Sequence, residues 1–164
     1  SGGSTSVTVA DIVPFKLQTA RGLGVDATVP MTKDAAENVD LLRKASPSGD
    51  GYDVVVEATG QTAVGNICMA LTRNGGTVLV YGVARPDERL SVSPFEIFRR
   101  EITIKGSFAE MTSFGAAIAA LRTGRARTDG IISHRFSLDD YGKALEALAS
   151  DPTAHKVVIA VAEP

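Results

Sequence analysis

Residues 7–11, Val-Thr-Val-Ala-Asp, restrict the possible folds more than any other stretch of the chain. The run is β-branched and apolar, as a strand buried on both faces is, and it closes on a carboxylate, Asp11. Pro14 then suits the first turn of a helix, which Phe15, Leu17, Ala20 and Leu23 continue as an apolar stripe until Gly22 and Gly24 end it. A short strand running straight into a helix is half of a crossover unit, and the chain repeats it. Strands are expected at 26–30, 52–60 and 77–83, and helices at 34–45 and 62–71, with Asn74-Gly75-Gly76 breaking the second. Strands and helices alternating at this spacing predict an α/β fold with a parallel sheet and right-handed crossovers.

After Gly82 the character changes. Residues 85–100 read as a loop, a short extended piece (Leu90 to Ser93) and a short helix. A strand is expected at 101–108, an alanine-rich helix from Met111 to Leu121, and a strand at 131–136. A capped helix follows, with Ser137 at its N-cap, Asp140 three residues on, and Tyr141, Ala144, Leu145 and Leu148 as its buried face. HKVVIAV, 155–161, closes the pattern as a strand.

Composition narrows the function classes. With 17 basic against 19 acidic side chains and no run of one sign, nothing calls for nucleic acid or a membrane surface. Arg99 with Arg100, and Arg125 near Arg127, read as solvated surface. The single cysteine, Cys68, excludes an intramolecular disulfide and fits a reducing cytoplasm. It lies in the apolar run NICMALT and reads as a packing residue. No apolar run approaches the roughly 18 residues of a membrane helix, and the opening residues are not expected to be a signal peptide. Residues 1–6, SGGSTS, read as the loop before the first strand.

The candidate chemistry sits at strand ends. In a doubly wound sheet the second strand ends beside an adenosine ribose, where a carboxylate accepts hydrogen bonds from both ribose hydroxyls. Asp11 suits that place, and its charge would repel a 2′-phosphate, favouring NAD over NADP; the plain alternative is a helix-start aspartate. The glycine-rich turn that comes about twenty residues before such an acid is not in the sequence, which starts ten residues upstream. Thr59-Gly60 and Gly82-Val83 end two further strands, where ligands of open α/β sheets bind, and glycine lets a flat cofactor approach the backbone. Simple turn chemistry is the alternative there. His134, His155 and Cys68 stand on three different elements and do not make a zinc site; His134 reads as a structural residue at a strand end. No Ser-His-Asp spacing, P-loop or paired cysteine motif is present.

Taken together, VTVADIVPFKLQTARGLGVD, YDVVVEATG, GGTVLVYGV, REITIKGSF, ISHRFSLDDYGKALEAL and HKVVIAV resemble the medium-chain, zinc-dependent alcohol dehydrogenases, and within them the polyol (sorbitol dehydrogenase-like) branch. The likeness covers essentially the whole chain and rests on the order of six segments. It implies a Rossmann-like, doubly wound parallel sheet lacking its first strand. Residues 1–108 would form a partial NAD-binding domain, and 109–164 a segment returning to an absent catalytic domain. It further implies that Asp11 and Lys16 bind the adenosine ribose and that Thr59 and Gly60 line the adenosine side of the cleft. Gly82, Val83, Phe108 and Ala109 would face the nicotinamide carboxamide, and Lys156 would reach the pyrophosphate. The family's zinc ligands and glycine fingerprint would lie upstream of Ser1, so no catalytic or metal-binding residue is assigned within the sequence. The missing strand is the family's central one, which would leave two strands facing a gap with unpaired backbone groups, at about 1–3 kcal/mol each. The expectation is therefore a retained part of a longer polypeptide, or a sheet that has closed differently or borrowed a strand.

The implied function is the cofactor-binding part of an NAD-dependent, zinc-dependent dehydrogenase that oxidises a polyol or secondary alcohol to a ketone by hydride transfer, inactive on its own. Alternatives are a zinc-free quinone or enoyl reductase of the same superfamily, which the charge at Asp11 opposes, and a non-catalytic NAD-sensing module. Expected partners are a small-molecule alcohol or polyol and a second copy of the chain, with Leu90–Ser93 pairing across a two-fold axis into a dimer or tetramer. The expected location is cytoplasmic.

Overall fold

A computed structural model describes residues 5–108 and 113–161. In chain order the elements are β1 (Thr8–Asp11), α1 (Pro14–Gly22), β2 (Ala27–Pro30), α2 (Ala35–Ala45), β3 (Tyr52–Glu57), α3 (Thr62–Leu71) and β4 (Thr72–Val80). They continue with α4 (Pro94–Arg100), β5 (Thr103–Gly106), α5 (Phe114–Arg122), β6 (Ile132–Ser137), α6 (Tyr141–Ser150) and β7 (Lys156–Ala160). The chain forms two compact units, one from Ser1–Pro30 with Ala119–Pro164, the other from Met31–Ile118. Every strand pairing among the described residues is parallel, so the expected α/β fold with a parallel, crossover-connected pattern is present.

In the first unit β1 pairs with β2, from Thr8 opposite Ala27 to Asp11 opposite Pro30. The Asp26 carboxylate accepts the Val7 N–H at 2.7 Å and helps set this register. Leu17 of α1 and Val29 of β2 are buried. β6 pairs with β7, and the register shifts between Ile132 and His134. Ser133 occupies that bulge, and its hydroxyl replaces lost ladder bonds by accepting the His155 N–H (2.9 Å) and donating to the Lys156 carbonyl (3.4 Å).

The second unit is a three-stranded sheet in the order β3-β4-β5. Cys68 of α3, Val78 of β4 and Ile102 form its core, with Val55 and Met69 packed against them. Burial is one-sided: Val55 joins this core, whereas its neighbours Val54 and Val56 are 55% and 51% exposed. β4 begins at Thr72, five residues before the expected start, because Thr72 already pairs with Tyr52. The Asn74-Gly75-Gly76 kink is absorbed as an irregularity before the ladder resumes at Val54 opposite Thr77. Residues 90–93 form no strand; the Ser91 N–H donates to the Asn66 side chain at 2.8 Å.

Two surface expectations are corrected. In α6 only Ala144 is buried, and Tyr141, Leu145 and Leu148 are half or more exposed. The apolar stripe of that helix is wider than the two-stranded β6–β7 sheet it packs on. Arg100 is not solvated surface: its side chain is 13% exposed and donates to the Met69 and Thr72 carbonyls and to the Asn74 side chain. Arg99 beside it is exposed and pairs with Glu96 at 3.0 Å.

Candidate functional site

The strand-end candidates are divided between the two units. In the first, Asp11 is the last residue of β1, and its Oδ1 accepts the Val13 N–H at 2.8 Å. That two-residue turn steers the chain into α1, whose own N-cap residue, Val13, has no side chain able to cap. Asp11 Oδ2 lies 3.8 Å from the Lys16 ammonium, with the carboxylate 27% exposed. One oxygen is thus committed to the fold and the other stays partly open beside a cation. Lys156, at the start of β7, is exposed and forms no ion pair among the described residues.

The two histidines of this unit have local partners. His134 Nε2 is 3.2 Å from an Asp151 carboxylate oxygen and its Nδ1 is 2.9 Å from the Ser133 hydroxyl. His155 Nε2 is 3.0 Å from the Thr19 hydroxyl, with its ring 5.0 Å from that of Phe15. Asp151 is held below its ordinary pKa chiefly by the Thr153 hydroxyl and N–H, with a smaller contribution from His134. Among the described residues no group of three or more His, Cys, Asp or Glu is placed to hold a metal ion.

In the second unit the turns after β3 and β4 lie against each other. Glu57, the last residue of β3, is 4% exposed. Its Oε1 accepts from the Thr59 N–H (2.6 Å), the Thr59 hydroxyl (2.5 Å) and the Gly60 N–H (3.0 Å). Its main-chain oxygen accepts from Tyr81 (2.9 Å) and Gly82 (2.8 Å). The Thr59 hydroxyl in turn accepts the Gln61 N–H at 3.0 Å. Thr59 therefore spends its N–H and O–H groups inside the turn.

The glycines are explained by the same packing. Gly60 has φ +71°, and a Cβ there would collide with the Val83 carbonyl; a Cβ at Gly82 would collide with the Gly60 nitrogen, Glu57 Oε2 and the Thr59 nitrogen. Val83 is 91% exposed and Phe108 82%. Ala109 lies outside the described residues. Cys68 sits in the core beneath, its thiol pushed up to about 11 by burial and, secondarily, by the nearby Glu57 charge.

Glu57 is the functional candidate that patterning does not single out. Its signal is an acid ending a strongly apolar strand with a hydroxyl residue two positions on, the grammar of a side-chain-braced turn.

Parallel strands that end in an acid-steered helix start in one unit and in two interlocked glycine turns in the other have the local organisation of a nucleotide-cofactor fold. The zinc-binding dehydrogenase family matches residues 1–123, and the chain belongs to it. D-arabinitol dehydrogenase 1 of Uromyces fabae is 39% identical over 150 residues, which is 90% of this chain and 42% of that protein. D-altritol 5-dehydrogenase of Agrobacterium fabrum is 35% identical over 160 residues, 98% of this chain and 45% of that one. The crystal structure of a Sinorhizobium meliloti 1021 protein described as a zinc-binding dehydrogenase, bound to NADP, superposes with a TM-score of 0.79 at 30% identity, covering 96% of this chain and 45% of that one. The chain thus spans less than half the length of these relatives, and the expected zinc-dependent dehydrogenase family and Rossmann-like fold class are both present.

Proposed function

We propose that this chain is the part of a zinc-dependent polyol or secondary-alcohol dehydrogenase that holds NAD. The observation that carries the reading is the Asp11 carboxylate at the carboxyl end of β1, with one oxygen fixed by the Val13 N–H and the other partly open. An acceptor at that position suits a ribose diol and opposes a 2′-phosphate. The names of the D-arabinitol and D-altritol dehydrogenases support a polyol as the substrate class.

In this reading the bound nicotinamide supplies the hydride acceptor, and the chain's own residues bind and orient it. Asp11 and Lys16 hold the adenosine ribose, and the turns at Thr59-Gly60 and Gly82-Val83 shape the cleft wall. Phe108 and Ala109 border the nicotinamide, and Lys156 offers a point charge to the diphosphate. Residues 109–164 belong with the catalytic part of the enzyme. The family's zinc finds no ligand set among the described residues. The chain alone is expected to give no turnover with NAD and sorbitol, and clear turnover would refute that.

A second cofactor reading has its own support. Lys16 stands 3.8 Å from Asp11, and the Sinorhizobium meliloti neighbour holds NADP. Calorimetric titration of the intact protein with both cofactors separates the two. NAD is expected to bind at least about tenfold more tightly than NADP, a difference of about 1.4 kcal/mol. Asp11→Asn is expected to erase most of that preference. Equal affinities in the unaltered protein, or NADP preferred, would overturn the NAD assignment.

A further inference from the structure

Thr59, Gly60 and Gly82 are among the residues of the second unit assigned to the cofactor cleft, and one residue, Glu57, bonds to all three. Three donors of the β3–α3 turn converge on Glu57 Oε1, and the Gly60 N–H also reaches Oε2 at 3.2 Å. The same residue's carbonyl fixes Tyr81 and Gly82 of the turn after β4. Gly82 must lack a side chain because the Glu57 carboxylate and the Gly60 and Thr59 amides occupy the space. A carboxylate can do this because it is acceptor-only on both oxygens, with about four lone-pair sites. It is also nearly sealed from water, at 4% exposure.

We propose that Glu57 is the positioning residue of the cofactor cleft: its buried carboxylate gathers the Thr59 and Gly60 donors inward while its main-chain carbonyl holds Tyr81 and Gly82 of the second turn, so that the cleft wall is preformed. The inference rests on the dinucleotide reading above and assigns Thr59 an indirect role. The threonine hydroxyl serves Glu57 and not the cofactor. Glu57→Gln preserves shape but replaces one oxygen with an NH2 group. With the amide oxygen at the Oε1 position, a donor then faces the Gly60 N–H.

The test uses the intact protein and measures NAD and NADP affinity for the unaltered chain, Glu57→Gln, Thr59→Val and the double variant, well below each melting temperature. Glu57→Gln is expected to weaken dinucleotide binding about tenfold, raising KM for the cofactor while KM for the alcohol stays unchanged. A purely structural role would lower the melting temperature and move both KM values or neither. Thr59→Val is expected to weaken binding about threefold alone and to add almost nothing in the Glu57→Gln background. Equal affinity in Glu57→Gln, or additive losses in the double variant, overturns the role of Glu57. If Glu57→Gln does not fold, Thr59→Val carries the test: unchanged dinucleotide affinity overturns the proposal, and selective weakening supports it. An unaltered protein that binds neither dinucleotide overturns the cofactor reading and this one together, whereas normal binding with an indifferent Glu57→Gln sinks this one alone.

Discussion

Gly82 shows how a single missing methyl group can hold two turns together. Its backbone does not need glycine's left-handed freedom; the space around its Cα is filled by Glu57 Oε2 and the Thr59 and Gly60 nitrogens. Gly82→Ala is therefore expected to destabilise by about 1–3 kcal/mol through overpacking, read as a lower urea midpoint at constant slope. Cys68 makes the converse case, a reactive group silenced by its surroundings. With the thiol raised to about 11 and its sulfur donating to the Val64 carbonyl, it is expected to resist a disulfide reagent at pH 8 until urea unfolds the protein. Rapid labelling of the native protein would refute that.

At this scale the sequence shows the candidate strand-end residues but not their couplings. The strand 52–57 and its terminal Glu57-x-Thr59-Gly60 are visible as a run of apolar residues ending in turn formers. Apolar periodicity reports which face a residue occupies; it carries no information on where a carboxylate sends its lone pairs. For the same reason the glycines read as openings for a ligand, whereas the structure gives them a turn-on-turn packing role. Arg100 reads as surface because a charged side chain is mostly exposed by type. Its burial follows from helix carbonyls at the end of α3 that only the folded chain brings within reach.

Elements were more legible, because their boundaries rest on local chemistry. Asp34 caps α2, its carboxylate accepting from Ala36 (2.8 Å) and Glu37 (3.0 Å), so the expected start at 34 holds. Asp34→Ala is expected to cost about 0.5–2 kcal/mol, measurable by urea unfolding. The Ser137–Asp140 pairing also forms, with the Asp140 N–H donating to the Ser137 hydroxyl and that hydroxyl donating back to the carboxylate at 3.0 Å. The expected N-cap at Ser137 is nevertheless corrected: Ser137 ends β6, and α6 begins at Tyr141 with Asp140 as its N-cap residue, so the pairing closes the turn before the helix. The width of the buried face of α6 was not legible, since a helix stripe does not say how much sheet lies under it.

The same helix carries a pH dependence. Lys143 and Ser137 hold Asp140 below its ordinary 3.8, and Thr153 does so for Asp151 at the other end. A carboxyl depressed in the folded state contributes stability above its unfolded pKa, and that contribution is lost as pH falls through the folded value. The urea midpoint is accordingly expected to fall below about pH 4. The decline should be shallower in the Asp140→Asn, Asp151→Asn double variant; identical pH profiles would refute the assignment.

Across the whole molecule, β4 is the one strand with a paired neighbour on each side among the described residues. Amides of Val78 and Leu79 are therefore expected to exchange with deuterium more slowly than those of β1, β2, β6 or β7. Faster exchange in β4 than in those strands would contradict the sheet arrangement. Parallel pairing also makes each ladder wait for an intervening helix, which makes such sheets slow to assemble.

The two units differ in how the chain supplies them. One is drawn from a single continuous stretch, Met31–Ile118, while the other joins Ser1–Pro30 to Ala119–Pro164. On the ribosome, the continuous unit has all of its residues in hand while the other still holds only its opening piece. The opening piece of the discontinuous unit is thus made before the continuous unit yet completed after it, and its strands depend in the meantime on chaperones or on speed.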